Sequence, residues 1–413
     1  MKGTLAKILA GVGVAVAVLV LALGALVAVF WDEAKVRGQN LVAIFTEEPE
    51  YAEGFANREE TLEYLTSHPE DFSLVVRNAS EGSSKAEIEY LSDEPNPLAS
   101  TKKIVVLAAY AKEASNGNLD PEEEVPVSEW EKYYVPNADG GAHPAAMESL
   151  GIATDENGAA TDPEATATLD EMASAMISVS DNAATDYFIE RLGQEKTRAV
   201  IEEENLAGQS PILPISGSML VWNGPDGGGA PNLAQMSREE YTAAVMRATE
   251  SYASGEYPGE WREGRAPLGS LVEQREMAAK YETKGAAEDF ARIMAGAAAG
   301  EFISPEASGV MRRHLEWPME SEANKETFEA FGAKGGSLAG VLNQAVYAAP
   351  KAGAFSGETR VVILFTRGMS VSAWLGATQS EGYSDFVDAL ATDEIFAEKV
   401  ERQIREKEGS NGS

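Results

Sequence analysis

Residues Pro97–Tyr110 read PLASTKKIVVLAAY: a serine, a lysine three positions later, then an apolar run of helical character. Ser100 and Lys103 are three apart, so they share one helix face about a turn apart, while Lys102 points away. If Ser100 lies in the first turn, unpaired backbone N–H groups and the positive helix end lie beside it. A hydroxyl there has an amine in reach as its base and an N–H as an oxyanion donor. Val106, Leu107, Tyr110 and Ala111 make the helix apolar enough to bury. A lysine on a buried helix is costly unless paired or neutral, so burial would also depress its pKa until it accepts a proton. A serine cap followed by solvated lysines explains the same letters, and Lys102 is read as a solvated charge.

Two further stretches carry polar chemistry. Ser180-Asp181-Asn182, in MISVSDNAATDYF, falls between two helical patterns and so on a short turn. A hydroxyl can relay a proton there and an amide can bind a carbonyl, although Ser, Asp and Asn are also the usual N-caps. Lys334-Gly335-Gly336-Ser337, in FGAKGGSLAGVLNQAVY, puts a cation and an uncovered backbone at a strand edge. A substrate backbone could lie along it with the Ser337 N–H facing in. A plain glycine turn is the competing reading.

The surroundings suggest one sheet split in sequence. Phe72–Arg77 and Ala86–Leu91 read as strands of a hairpin with a Gly/Ser-rich turn. A helical middle follows, with a capping-box pattern at Thr168 and Glu171 and a helix stopped by Gly193. Residues 222–282 look like an insertion or lid with one helical piece. A helical pair, the strands QAVYAAPK and RVVILFTRG, and a closing helix complete the pattern. The expected divisions are an anchor or signal segment at 1–31, an acidic stalk and first helix at 32–66, the main domain at 67–408 and a disordered tail at 409–413.

Composition narrows the partners. Among 413 residues, 67 acidic against 33 basic give a net charge of −34. Duplexes and anionic lipid would be repelled, so nucleic acid is not an expected partner. No cysteine exists, which removes disulfides and thiolate chemistry. His68, His143 and His314 show no metal-ligand spacing and are read as satisfied surface or turn residues, and neither metal nor cofactor is expected. Ile8–Trp31 is uncharged and, as a helix, about 36 Å long, enough to span a bilayer. Lys2 and Lys7 favour an N-in orientation. The expectation is therefore a monomeric domain on the extracytoplasmic face, held by a single-pass N-terminal helix; a cleaved signal peptide is the alternative.

S-x-x-K at a helix start, S-D-N between helices and K-x-G on a late strand, in this order, resemble class A β-lactamases and penicillin-binding proteins. The resemblance covers roughly residues 67–408. PLASTKKIVVLAAYA and MISVSDNAATDYFIERLG look especially like the class A-related serine hydrolases. It implies an α/β (α+β) β-lactamase/transpeptidase-like fold, an antiparallel sheet flanked by helices plus an all-helical half. It implies that Ser100 is the acylated nucleophile, Lys103 its base, and Ser180 the relay to the leaving nitrogen. Asn182 would bind the substrate amide and help place Lys103, and Lys334 would attract a carboxylate. The N–H groups of Ser100 and Ser337 would form the oxyanion hole, beside Gly335 and Gly336, while Asp181 would orient the turn. The substrate would be a β-lactam or a D-alanyl cell-wall peptide.

Two departures stand out. The family's E-x-x-L-N glutamate has no counterpart: GQSPILPISGSMLVWNGPDGGG contains none, Glu202–Glu204 read as a solvated run, and Asp226 sits among glycines. Gly335 replaces a hydroxyl residue, for which Ser337 could compensate. Acylation is thus expected and efficient deacylation is not. The alternative is a catalytically weak or inactive, membrane-tethered module that binds peptidoglycan or a protein partner.

Overall fold

The computed structural model describes residues 31–79, 86–162, 164–224, 233, 235–265 and 268–411. Strand β1 (Phe72–Asn78) pairs antiparallel with β2 (Ile88–Tyr90). Short strands β3 (Pro95–Pro97), β4 (Glu124–Pro126), β5 (Thr166–Thr168) and β6 (Lys284–Ala286) form the pairs β3–β6 and β4–β5. Strands β7 (Phe328–Leu338), β8 (Val341–Pro350) and β9 (Arg360–Thr366) complete a five-stranded antiparallel sheet, ordered β2-β1-β9-β8-β7. The sheet is therefore split in sequence, as expected, and β1 finds β9 across the whole helical block.

Strand β9 explains the layering. Its residues RVVILFT are all buried, because both sheet faces are covered. Val361, Ile363 and Phe365 enter the core of the helical half, and Val362 and Leu364 enter a second core on the opposite face. That alternation is the period-2 rule of a strand. The helix Lys103–Ser115 runs through the first core, with every residue from Lys103 to Ala111 buried. The helices Leu169–Ser178, Asn182–Leu192, Ala287–Ala299 and Pro305–Leu315 surround it. On the other face lie Arg58–Ser67, Gly382–Thr392 and the closing helix Glu394–Asn411.

Three expectations change. The acidic stalk is not a free stalk. Its helix Trp31–Thr46 docks on the domain: Asn40 accepts from the Leu271 N–H at 2.8 Å, Ser372 donates to the Ile44 carbonyl at 2.8 Å, and Glu47 pairs with Arg275 at 2.6 Å. Phe55 is buried in the second core. The segment at 222–282 holds three helices rather than one, Arg238–Ala253, Gly259–Arg262 and Leu271–Tyr281, around an apolar cluster of their own. Capping boxes at Ser237/Glu240 and Ser270/Glu273 start two of them, a pattern legible in the letters. The closing helix continues to Asn411, through most of the expected tail. Of the apolar run Ile8–Trp31, all but Trp31 lies outside the described residues, as do most of the hairpin turn and Asp226. Among the described residues no helix is long and apolar enough to cross a membrane.

Candidate active site

Ser100 sits in a 3-10 turn, Ala99–Lys102, that leads into the buried helix. Ala99 has φ 48°, a left-handed conformation that side-chain-bearing residues rarely hold, so the turn is kinked immediately before Ser100. The edge strand β7 lies against this kink. A Cβ on Gly336 would stand 2.7 Å from the Leu98 carbonyl oxygen and 2.9 Å from the N atoms of Ser100 and Thr101. Only glycine permits that approach. From the neighbouring β8, the buried Asn343 donates to the Pro97 and Leu98 carbonyls at 2.8 and 3.1 Å, which ties the turn to the sheet.

Lys103 is sealed from water. Its Nζ donates to the Ser180 carbonyl at 2.6 Å, to Ser180 Oγ at 3.0 Å and to Asn182 Oδ1 at 2.7 Å, all neutral acceptors. Burial first, and then the Lys334 charge, push its pKa well below the ordinary lysine value, against an opposing pull from Asp181. Ser180 has φ 69°, which turns both its carbonyl and its hydroxyl onto this amine. Lys334, from the middle of β7, is buried as well, and burial lowers its pKa to about 7.

Asp181 holds the turn. It caps the Asn182–Leu192 helix through the Ala184 N–H at 2.7 Å, accepts from Trp130 Nε1 at 3.3 Å, and meets His143 Nδ1 at 2.7 Å. Burial pushes its carboxyl up, but His143 and the Ala184 N–H hold it below the usual range. His143 is a buried partner of Asp181 and not a surface residue. Burial would lower its pKa, yet the two carboxylates Asp181 and Glu131 raise it to about 9.

Lys102 also departs from its reading as a solvated charge. It is 3% exposed and its Nζ lies 2.6 Å from Glu282 Oε1, which is equally sealed. The reason is the 3-10 turn: Lys102 leaves it towards the end of the inserted lobe instead of towards solvent. Glu282, Asp186, Asn343, Trp222 and Trp374 escaped the sequence reading, because none stands in a motif and each gains its role by long-range packing.

Ser100, Ser180, Asn182, Lys334, Gly336 and Ser337 line one cavity of about 590 Å³. The structure thus gathers the sequence-predicted residues at one place, with Gly335 on the same strand and Lys103 directly behind. Ser337 is exposed, and its Oγ accepts from Trp374 Nε1 at 3.1 Å, which leaves its proton and one lone pair for a ligand. Two described carboxylates line the cavity, and both are engaged: Asp139 accepts from the N–H groups of Gly141 and His143, and Glu282 holds Lys102. Among the described residues no three histidine or carboxylate side chains could hold a metal ion.

No curated protein matches the chain. Solved structures do. A β-lactamase from Sphaerobacter thermophilus is 16% identical, with a TM-score of 0.47 over 80% of this chain and 96% of its own. One from Chitinophaga pinensis is 10% identical, with a TM-score of 0.48 over 80% and 98%. One from Xanthomonas campestris pv. campestris is 13% identical, with a TM-score of 0.48 over 82% and 98%. The family described as "Beta-lactamase enzyme family" matches residues 57–357, from before β1 to the turn after β8. That match spans most of the chain and takes in the Ser100 turn, the S-D-N turn and the K-G-G strand, and on it the chain belongs to the β-lactamase enzyme family.

Proposed function

We propose that the protein forms an acyl-enzyme on Ser100 with a β-lactam or a D-alanyl-peptide amide. The observation that carries this reading is the Lys103 amine: buried, lowered in pKa and held by neutral groups within one turn of Ser100. Ser100 Oγ attacks the carbonyl carbon and its proton passes to Lys103. The N–H groups of Ser100 and Ser337 receive the developing oxyanion. Ser180 then carries a proton from Lys103 to the leaving nitrogen as the C–N bond breaks. Asn182 positions the acyl amide, and Lys334, in its protonated form, attracts the substrate carboxylate.

Water must finally cleave the ester, taking the acyl group as an acid and returning the proton to Ser100. Acylation outruns deacylation, and what supports this is that the sequence carries no E-x-x-L-N glutamate to activate that water. The domain works outside the cytoplasm, tethered by its N-terminal segment; what supports this is the apolar run Ile8–Trp31 behind Lys2 and Lys7. The test is intact-mass spectrometry after addition of benzylpenicillin. The expected result is one adduct per chain that forms quickly and persists, and that is missing from Ser100→Ala. An equal adduct on Ser100→Ala overturns the reading. Cell-wall binding that survives Ser100→Ala, with no adduct on wild type, would instead support a non-catalytic module.

A further inference from the structure

The S-D-N turn is fixed by a charge pair that lies outside every motif. His143, near the start of the helix Ala142–Ser149, is buried. Its Nδ1 meets Asp181 Oδ2 at 2.7 Å, and its Nε2 meets Glu131 Oε1 at 3.3 Å. An ionised carboxylate accepts hydrogen bonds and donates none, so both ring nitrogens carry a proton and the ring is an imidazolium. Tyr134 stacks on that cation at 4.1 Å, which favours it further. Trp130 crosses the ring at 86° with the centroids 5.3 Å apart. Asp139 accepts the His143 backbone N–H at 2.8 Å and completes the acidic surroundings. Glu131, in the 3-10 turn Glu131–Tyr133, also accepts the Ala160 N–H at 2.5 Å, so the far side of the ring is anchored as firmly as the near side.

Asp181 stands between the two residues that hold the Lys103 amine, Ser180 and Asn182. Its own oxygens are bonded elsewhere: Oδ1 accepts from the Ala184 N–H at 2.7 Å and from Trp130 Nε1 at 3.3 Å, and Oδ2 faces His143. Its charge still acts on Lys103. Burial is the main force against the Lys103 ammonium; Lys334 from β7 and Lys102 from the preceding turn add to it, while Asp181 and Asp186 oppose it. Asp186 lies one turn after Asn182 and is bonded to the N–H groups of Ile215 and Ser216, each at 2.7 Å. A sealed carboxylate with no counter-charge would favour a proton on the amine. A cation 2.7 Å from that carboxylate cancels much of its pull, because at the distance of Lys103 the two opposite charges act as a dipole.

We infer that His143 is a positioning residue of the site: its imidazolium is the fixed counter-charge of Asp181, which holds the S-D-N turn on Lys103 and shields the amine from that carboxylate. For the use made of the amine this rests on the acyl-enzyme reading; the charge balance stands without it. Neither role needs His143 to touch a substrate, since it acts only through Asp181 and Glu131.

The first test needs no variant to fold. Ring-nitrogen NMR of the wild type should show one histidine with both nitrogens protonated at about pH 8, where an ordinary histidine is neutral. That signal should vanish in His143→Asn, and a neutral ring at His143 overturns the inference. The second test follows the ε-carbon NMR signal of labelled Lys103, assigned by its loss in Lys103→Met. His143→Asn keeps a donor for Asp181 and removes the charge, so the Lys103 midpoint should rise by about one pH unit or more. Adding Asp181→Asn removes the carboxylate as well and should return most of that rise. A midpoint that His143→Asn leaves in place, or that the double variant leaves equally raised, overturns the inference. The third test is adduct formation at saturating benzylpenicillin. His143→Asn should be about tenfold slower near pH 7 and should approach wild type as pH rises, whereas a merely structural role would slow it equally at every pH. A Lys103 shift with no adduct on wild type refutes the acyl-enzyme and spares the inference. An adduct with an unmoved Lys103 does the reverse.

Discussion

The turn and helix that follow Leu98 bury two adjacent lysines and treat them in opposite ways. Lys103, on the side of the S-D-N turn, is surrounded by neutral acceptors, with a second amine, Lys334, close enough to push its pKa down further. Lys102, on the side of the inserted lobe, meets a sealed carboxylate at 2.6 Å. Burial is common to both, so burial is not what sets the two lysines apart. The partner differs: Lys102 meets a carboxylate counter-charge, whereas Lys103 touches none, and a second amine, Lys334, adds to the burial that disfavours its ammonium. Adjacent residues can differ so much because the turn sends them to different elements, one to the Asn182–Leu192 helix and the other to the residue after Leu271–Tyr281.

The strongest way to break this contrast is Lys103→Met. Loss of a general base should slow adduct formation with benzylpenicillin by about 10²–10⁴-fold. The folded protein should persist, because an apolar side chain of similar length replaces a buried amine. A loss under about tenfold, measured by intact mass over time, would mean that Lys103 is not the base.

On the other side the large effect falls on stability. Glu282→Gln leaves Lys102 buried without its counter-charge, which should cost about 3–5 kcal/mol in denaturant unfolding. Lys102→Met combined with Glu282→Leu should recover most of that loss, because the charge and its partner leave together. If the single and double variants are equally unstable, the pair does not act as a pair.

Protonation sharpens the same contrast. Lys334 titrates at about 7 in the fold and near the ordinary lysine value when unfolded. Between those values the unfolded chain holds the extra proton, so stability rises with pH across this window, and below about 7 it stays at its lower level. Lys103, lowered in the same direction, adds to this slope. Lys334→Met should flatten part of the rise, read from unfolding midpoints between pH 7 and 10. Binding of a carboxylate ligand has the opposite sign: it needs the ammonium form and should weaken as pH climbs through about 7. An affinity that does not change with pH would show that Lys334 does not meet the anion.

The smallest expected effect is Trp374→Phe. It removes one hydrogen bond to an exposed serine, worth about 1 kcal/mol, so acylation should change by less than about tenfold. A larger fall would make the position of Ser337 more dependent on that indole than its exposure suggests.

Local patterns made much of the fold legible. Strand β9 holds the continuous apolar run Val361–Phe365, Thr168 and Glu171 spell a capping box, and Gly193 stops a helix. The inserted lobe carries the same kind of signal in its two capping boxes, set between glycine-rich and proline-rich stretches. The cavity that gathers Ser100, Ser180, Asn182, Lys334 and Gly336, with Lys103 behind it, was legible as a candidate site because their order along the chain resembles a family whose members share that order.

The sequence by itself determined which chemistry the chain carries and the alternation that puts β9 between two cores, since both depend on residue type and short-range spacing. Tertiary structure alone decided that Lys102 is paired, that His143 is buried against Asp181 and that the helix Trp31–Thr46 is docked. Each of these joins residues far apart in the chain. No local propensity contains such a contact, because it exists only when the sheet and the lobe close around the same buried helix.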